Sequence, residues 1–439
     1  MTTTPKTAEA AKTLVFLKGK DDALRRQNVD APDWYAAAAQ VRAQLAEALN
    51  ARHLSFLFGS GTSSLRKAKE EFGIPTMGPL ATEFVKGVGA DDKAMFVSAA
   101  ERALLKDNLG LDLSSNVYGN NLERLMEVLH SNEVAFRAST LAEHRSHLAV
   151  VQTVILKIKR FVLHKCTVGR FASGDDSVRL LYERFYRKLI MRDRNQPRPW
   201  VFTSNYDLFN ESAMDRMGLP YANGFAGTVE RRFNPAVFRY ALAEQLDLSS
   251  RKWTAVDGFV YLCKLHGSVN WIEDDRGLFP IAEIQQPKEP NAGSIMIYPA
   301  PTKQSVSFGS PYADLFREFQ AQVSREQSVL FVVGYSFGDE HINNIIYRAL
   351  TIPTFRLILL ANPKAEGEIG KLRALGDPRI WIVGGDSPIE ESRGHYFDTF
   401  VEHLMPEPPG ESIDKAVEAV AALLKAPKKD TKDAGDDAG

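Results

Sequence analysis

Apolar positions recur along this chain with two different rhythms. Residues 31–53, APDWYAAAAQVRAQLAEALNARH, carry apolar side chains at helical spacing after an Asp-Ala-Pro-Asp start, which predicts a helix. LSFLFGSGTSS follows at once. Its apolar run Leu54–Phe58, closed by a Gly-x-Gly turn, predicts a buried strand entering a loop. From 66 to 195 the pattern is charged and helical, as in NNLERLMEVLHSNEVAFRASTLAEHRSHLAVVQTVILKIKRFVLHK, and no strand is expected there. Strand-like runs then return in series: PWVFTSNYD (199–207), GFVYLCKLHGS (258–268), SIMIYPAP (294–301), SVLFVVGYSFGD (328–339), FRLILLANP (355–363) and RIWIVGGD (379–386). Near-continuous apolar strands closed by Gly, Asn, Asp or Pro indicate sheet faces covered on both sides. The expected fold class is α/β, a Rossmann-like parallel sheet flanked by helices, with a large helical insertion. The chain divides into an N-terminal helical segment (1–53), a main domain (54–405) with its insertion at 66–195, and a C-terminal part (406–439). That last part comprises one amphipathic helix and a small, charged tail expected to be disordered.

Composition narrows the class without choosing a function. The chain has 439 residues, 44% apolar and 25% charged, with a net charge of −1, which describes a globular protein with ample core. Near-neutral charge gives no general attraction to nucleic acid or acidic lipid, so direct sequence-specific nucleic-acid binding is not expected. No apolar run approaches the ~18 residues needed to span a bilayer, and the first residues lack a secretory pattern, so a cytoplasmic location with no membrane partner is expected. The two cysteines, Cys166 and Cys263, cannot form a four-cysteine zinc site or a disulfide framework.

In open parallel sheets, ligands bind beyond the carboxyl ends of the strands. Four exits here carry unusual residues. Gly59, Ser60, Gly61 and Thr62 form a strand-to-helix turn suited to a pyrophosphate, although Gly-x-Gly also fits an ordinary turn. Asn205 and Asp207 close the second exit, where Asp207 also suits a helix cap. His266, before Gly267, has a side chain that titrates near neutrality and can serve as a base, but a lone histidine at a turn is commonly structural. The fourth exit, Gly334-Tyr335-Ser336-Phe337-Gly338-Asp339, makes a second candidate cradle through Gly334, Ser336 and Asp339. Asn362, after RLILLA, offers an amide to a ribose or adenine, or simply makes a turn. All sit on one edge, where a single ligand can reach them.

The order of these motifs resembles the sirtuin-like superfamily over residues 54–386. GSGTSS resembles its first glycine loop, GIP at Gly73–Pro75 its cofactor-loop motif, and TSNYD its Thr-Gln-Asn-x-Asp element. KLHGS resembles its His-Gly, GYSFGD its Gly-Thr-Ser loop, and LLAN its strand-ending Asn. Two departures stand out. Ser204 replaces the Gln, and residues 269–333 hold no cysteine where the family's deacylases carry a zinc module. The wording is closer to the bacterial sirtuin-like proteins of antiphage defence. The resemblance implies NAD as substrate with no metal, and hydrolysis to nicotinamide and ADP-ribose. It assigns Asn205 to the ribose or attacking water, Asp207 to the nicotinamide carboxamide and His266 to general-base duty. Gly59, Ser60, Gly61 and Thr62 would hold phosphates, with Ser336 and Asn362 on the adenosine side. An effector that depletes NAD on infection needs restraint, so a homo-oligomer and a separately encoded partner are expected, a HerA-class ATPase ahead of an Argonaute-like protein. A protein deacylase, an ADP-ribosyltransferase and a non-catalytic NAD or ADP-ribose sensor stay open as alternatives.

Overall fold

A computed structural model describes residues 12–24, 33–87, 95–193, 195–247, 252–274, 281–287, 295–297 and 311–407. The strands are β1 (Leu14–Lys18), β2 (Asp21–Asp22), β3 (His53–Phe58), β4 (Ser64–Lys67), β5 (Glu70–Gly73), β6 (Trp200–Thr203), β7 (Tyr221–Ala222), β8 (Phe225–Ala226) and β9 (Arg231–Phe233). They continue with β10 (Ala243–Asp247), β11 (Lys252–Ala255), β12 (Val260–Lys264), β13 (Gly267–Glu273), β14 (Ile281–Glu283), β15 (Ile295–Ile297), β16 (Ser328–Val333), β17 (Arg356–Leu360) and β18 (Ile380–Gly385). Nine of them form one sheet in the order β2-β1-β18-β17-β16-β3-β6-β12-β7. From β18 to β7 every pairing is parallel. The expected Rossmann-like α/β architecture is therefore present.

Parallel strands are buried on both faces because the crossover helices cover both. In β3, Phe56 and Phe58 enter the core on one face and Leu57 the core on the other. On the first face lie α1 (Trp34–Leu49), begun by the Asp33 side chain accepting from Ala36 N–H, and, later in the chain, α7 (Ser177–Leu189) and α8 (Phe209–Met217). The opposite face receives α9 (Tyr312–Val323) and α10 (Glu340–Leu350). Within the expected insertion, 66–195, α7 instead packs on the sheet, and the rest contributes α2 (Met77–Lys86), α3 (Ala99–Leu109), α4 (Asn116–Gly119), α5 (Leu122–Ala138) and α6 (Ala142–Thr167). Residues of α2, α3, α5 and α6 pack into an apolar core of their own, which also takes in Val269 and touches Tyr206 and Leu208 of the main sheet's exits. No helix of the described residues is long and apolar enough to cross a membrane.

Three expectations need correction. The N-terminal segment is not wholly helical: Leu14–Lys18 is a strand that pairs antiparallel with β18, and burial of Phe16 on the sheet outweighs the local pattern. The insertion opens with a β-hairpin, β4 against β5, whose turn puts Ala68 and Lys69 at positive φ, a conformation their side chains do not announce. Ile295–Ile297, in the segment expected to join the parallel sheet, instead pairs antiparallel with β13 in a separate five-stranded sheet. The C-terminal helix expected after 407 lies outside the described residues.

The register sets up the site. Val333 is level with Phe58, Phe58 with Thr203 and Thr203 with Lys264, so four adjacent strands end on one rung. The chain runs outward from β3 through β6 and β12, then returns to lay β16 on the other side of β3. That reversal is the switch point where open parallel sheets leave a crevice. At the crevice the β3 and β16 loops touch backbone to backbone. Gly61 N–H donates to Gly334 O at 2.9 Å, and Gly59 N–H to Val333 O at 3.0 Å. A Cβ on Gly334, whose φ is +64°, would sit 2.7 Å from Gly61 C. Gly334→Ala should therefore destabilise the protein by roughly 1–3 kcal/mol, read from the midpoint of chemical unfolding; an unchanged midpoint would show that the loops do not need this approach.

Candidate active site

The β3 loop is tied down by Asn205. Its Nδ2 donates to Gly59 O at 3.0 Å, Thr62 Oγ1 at 3.1 Å and Ser63 Oγ at 2.9 Å. The Gly59 carbonyl can only accept, which fixes the amide orientation and leaves Oδ1 as the end available to a ligand. Ser63 Oγ in turn donates to Asp207 Oδ2 at 2.7 Å, while Asp207 Oδ1 accepts from Phe209 N–H at 3.0 Å. Asp207 thus bonds the first residue of α8, whose N-cap position is Leu208, and braces the loop through Ser63. Thr62 Oγ1 lies 2.7 Å from the Tyr182 hydroxyl, which burial and then the nearby Asp207 charge keep protonated well above the ordinary tyrosine range.

Beneath this layer the buried Lys264 donates from Nζ to Glu211 Oε1 at 3.0 Å, to Ser268 Oγ at 2.7 Å and to the Asp207 carbonyl. Burial raises the pKa of the Glu211 carboxyl, with the Lys264 charge opposing it. Breaking such a buried pair strands one charge and costs about 3–5 kcal/mol. Lys264→Met should lower the unfolding free energy on that scale, and a loss below ~1 kcal/mol would show the pair to be idle.

His266 is buried between two carboxylates. Its Nε2 is 2.8 Å from Asp339 Oδ2, and its Nδ1 is 3.3 Å from Glu123 Oε1. Burial alone would lower the imidazole pKa, but the hydrogen bonds to Asp339 and Glu123 outweigh it and push it up to about 9. Burial would raise the Asp339 pKa, yet the bond to His266 holds it below the usual range. Asp339 also accepts from Ile342 N–H through Oδ1, at 3.0 Å, as the N-cap of α10.

Asn205, Asp207, His266, Gly334, Ser336, Asp339 and Ser60 line one cavity of about 120 Å³, walled on the insertion side by Asn121, Glu123 and Val162. A neighbouring cavity of about 610 Å³ shares Ser60, Gly334 and Ser336 with it and reaches Gly61, Asn362 and His395. The larger one falls in the ~300–1,000 Å³ range of small-molecule sites. Gly59 and Thr62 stand behind the wall rather than in it, and the N–H groups of Gly59, Gly61, Thr62 and Ser63 are all bonded within the two loops. By contrast, the backbone N–H groups of Tyr335, Ser336, Phe337 and Gly338 make no hydrogen bond among the described residues. The exit of β16, which leads into α10, is thus the better anion cradle. No group of three or more His, Cys, Asp or Glu among the described residues is placed to hold a metal ion.

Residues 199–364 match the SIR2-like domain family. That stretch, short of half the chain, holds Asn205, Asp207, His266, Gly334, Ser336, Asp339 and Asn362, and excludes the β3 loop. The match supports membership of the sirtuin-like superfamily and an NAD-related activity in general. No curated protein matches the chain.

Sequence reasoning missed Ser63, Tyr182, Tyr206 and Glu123. Ser63 stands inside the quoted GSGTSS, where the Asn205–Ser63–Asp207 relay becomes visible only once β3 and β6 are neighbours. Glu123 reads as an ordinary first-turn acid of α5, and nothing near it in the chain points to His266.

The charged state of His266 has a testable sign. Because its folded pKa of about 9 exceeds the ~6.5 of an unfolded histidine, the imidazolium stabilises the fold fully below ~6.5, and that contribution is lost as the pH rises through about 9. The stability gap between the wild type and His266→Gln, measured by denaturant unfolding, should be largest near about pH 6 and shrink by about pH 10. A gap constant across that window would mean His266 carries no such charge.

Proposed function

We propose that this protein cleaves NAD to nicotinamide and ADP-ribose. The observation that carries the reading is the convergence of Asn205 and His266, from separate strand exits on one rung, onto a cavity that shares lining residues with a larger one. The match over 199–364 supports the cofactor class. In this reading the larger cavity takes the adenosine part, with Ser336 and Asn362 along it, and the open N–H groups after Gly334 meet the pyrophosphate. Asn205 Oδ1 accepts from a ribose hydroxyl or the attacking water. Positioning of the scissile bond supplies much of the rate, because an oriented bound substrate has already lost its translational freedom. His266, once neutral, accepts a proton from a ribose hydroxyl or, through it, from water, which is worth about a hundred- to ten-thousandfold. Asp207 has both carboxylate oxygens engaged with Ser63 and Phe209. Its contribution is to hold the loop, and a carboxamide contact would share an oxygen that already accepts from Ser63 or Phe209.

Such an activity, unrestrained, would drain its host of NAD. We read the protein as the effector of an antiphage system, kept in check by self-association and by a partner such as a HerA-class ATPase. The motif wording supports this reading, as does an insertion that walls the site.

The test is incubation of purified protein with NAD and identification of the products. Nicotinamide and ADP-ribose are expected, with turnover lowered at least ~100-fold in His266→Ala and Asn205→Ala. Acetyl-ADP-ribose or a modified protein as the main product would replace hydrolysis by group transfer, and full activity in either variant would remove that residue from the chemistry.

A further inference from the structure

Both ring nitrogens of His266 face carboxylates, so the imidazolium cannot receive a proton. One partner must leave before His266 can act. Asp339 is held by the α10 backbone through Oδ1, and its side chain is 11% exposed. Glu123 has the longer contact with His266, 3.3 Å against 2.8 Å, and its side chain is 30% exposed. It accepts from the Tyr206 hydroxyl at 3.0 Å through the same oxygen that faces His266. Its backbone belongs to α5, whose apolar face packs mainly within the insertion rather than on the sheet. We propose that Glu123 is a displaceable stand-in for a ligand hydroxyl at His266 Nδ1, through which the helical insertion keeps the site at rest until a ribose enters.

This rests on reading the cavity as an NAD site. Among the described residues, other groups also face the imidazole. Tyr206 faces it from the β6 exit, Phe316 from α9 with its ring 6.5 Å away, and His341 lies beyond Phe316. Tyr335 reaches the Asp339 carbonyl from the second loop. At rest the imidazolium donates through Nδ1–H to Glu123 and through Nε2–H to Asp339. When a ribose hydroxyl displaces Glu123, the Nδ1 proton passes to solvent by way of the departing carboxylate. The neutral ring keeps Nε2–H toward Asp339 and turns its Nδ1 lone pair to the hydroxyl. One proton is released for each ligand bound, and no covalent bond is made. Glu123 is therefore a positioning residue for the base, and removing it takes away a competitor rather than a support.

The experiment measures ADP-ribose binding to the full chain by calorimetry in buffers of different ionisation enthalpy near neutral pH. The wild type should release up to one proton per site. Glu123→Ala should bind several-fold tighter and release less, with Tyr206→Phe moving the same way by a smaller amount. In a His266→Asn background Glu123→Ala should have no effect. Weaker binding by Glu123→Ala, or an equal effect in the His266→Asn background, would overturn the proposal. A second readout needs no ligand: the His266 imidazole resonance, identified by its loss in His266→Asn, should titrate at lower pH in Glu123→Gln. An unmoved midpoint overturns the Glu123 contact by itself, whereas failure of every form to bind ADP-ribose overturns the NAD reading.

Discussion

The site depends on one rung of the central sheet. Val333, Phe58, Thr203 and Lys264 stand level across four parallel strands, so the loops that follow them start side by side. A slip of one residue in any pairing would exchange the two faces of that strand and take Asn205, His266 or Gly334 out of the crevice. The register is held by the apolar residues that fill both cores. The aromatic contacts of Phe56 with Phe331 and with Phe185 join β3 to β16 and to α7. Packing on both sides of the sheet therefore fixes chemistry at its end.

Two kinds of polar order meet beyond that rung. One is buried: Asn205, Ser63, Asp207, Lys264 and Glu211 connect three strand exits through hydrogen bonds, with Glu211 Oε2 left without a partner. Such networks are costly to break and define a single loop geometry. The other is a charged pairing at the cavity wall, in which His266 is held by Asp339 from the sheet side and by Glu123 from the insertion. The first holds the loops at the strand exits, and the second keeps the His266 imidazole charged. The second crosses between the sheet and the insertion through Glu123, whose side chain is 30% exposed.

Much of this was readable in the chain. The strands β3, β6, β12, β16, β17 and β18 announce themselves as apolar runs closed by Gly, Asn or Asp, since parallel strands covered on both faces have little room for polar residues. Asn205, Asp207 and His266 were legible because a polar residue directly after such a run must sit at the sheet's edge. What the chain hid were pairings across long separations. Leu14–Lys18 looks like the approach to a helix until β18 offers it an edge. Gly59 and Gly61 read as a phosphate turn, yet their N–H groups meet Val333 and Gly334, because the partner loop arrives from more than two hundred residues away. Glu123 is the sharpest case, since no local pattern distinguishes an acid that reaches a histidine from one that faces water.

Both ends of the nine-stranded sheet close in strands of only two residues, β2 and β7. A long, flat border would present a ladder of unpaired N–H and C=O groups to any other extended chain. Here β1 runs against its neighbours and β2 folds back on it, so the border shrinks to a stub. Growth of this sheet by strand addition is thereby disfavoured.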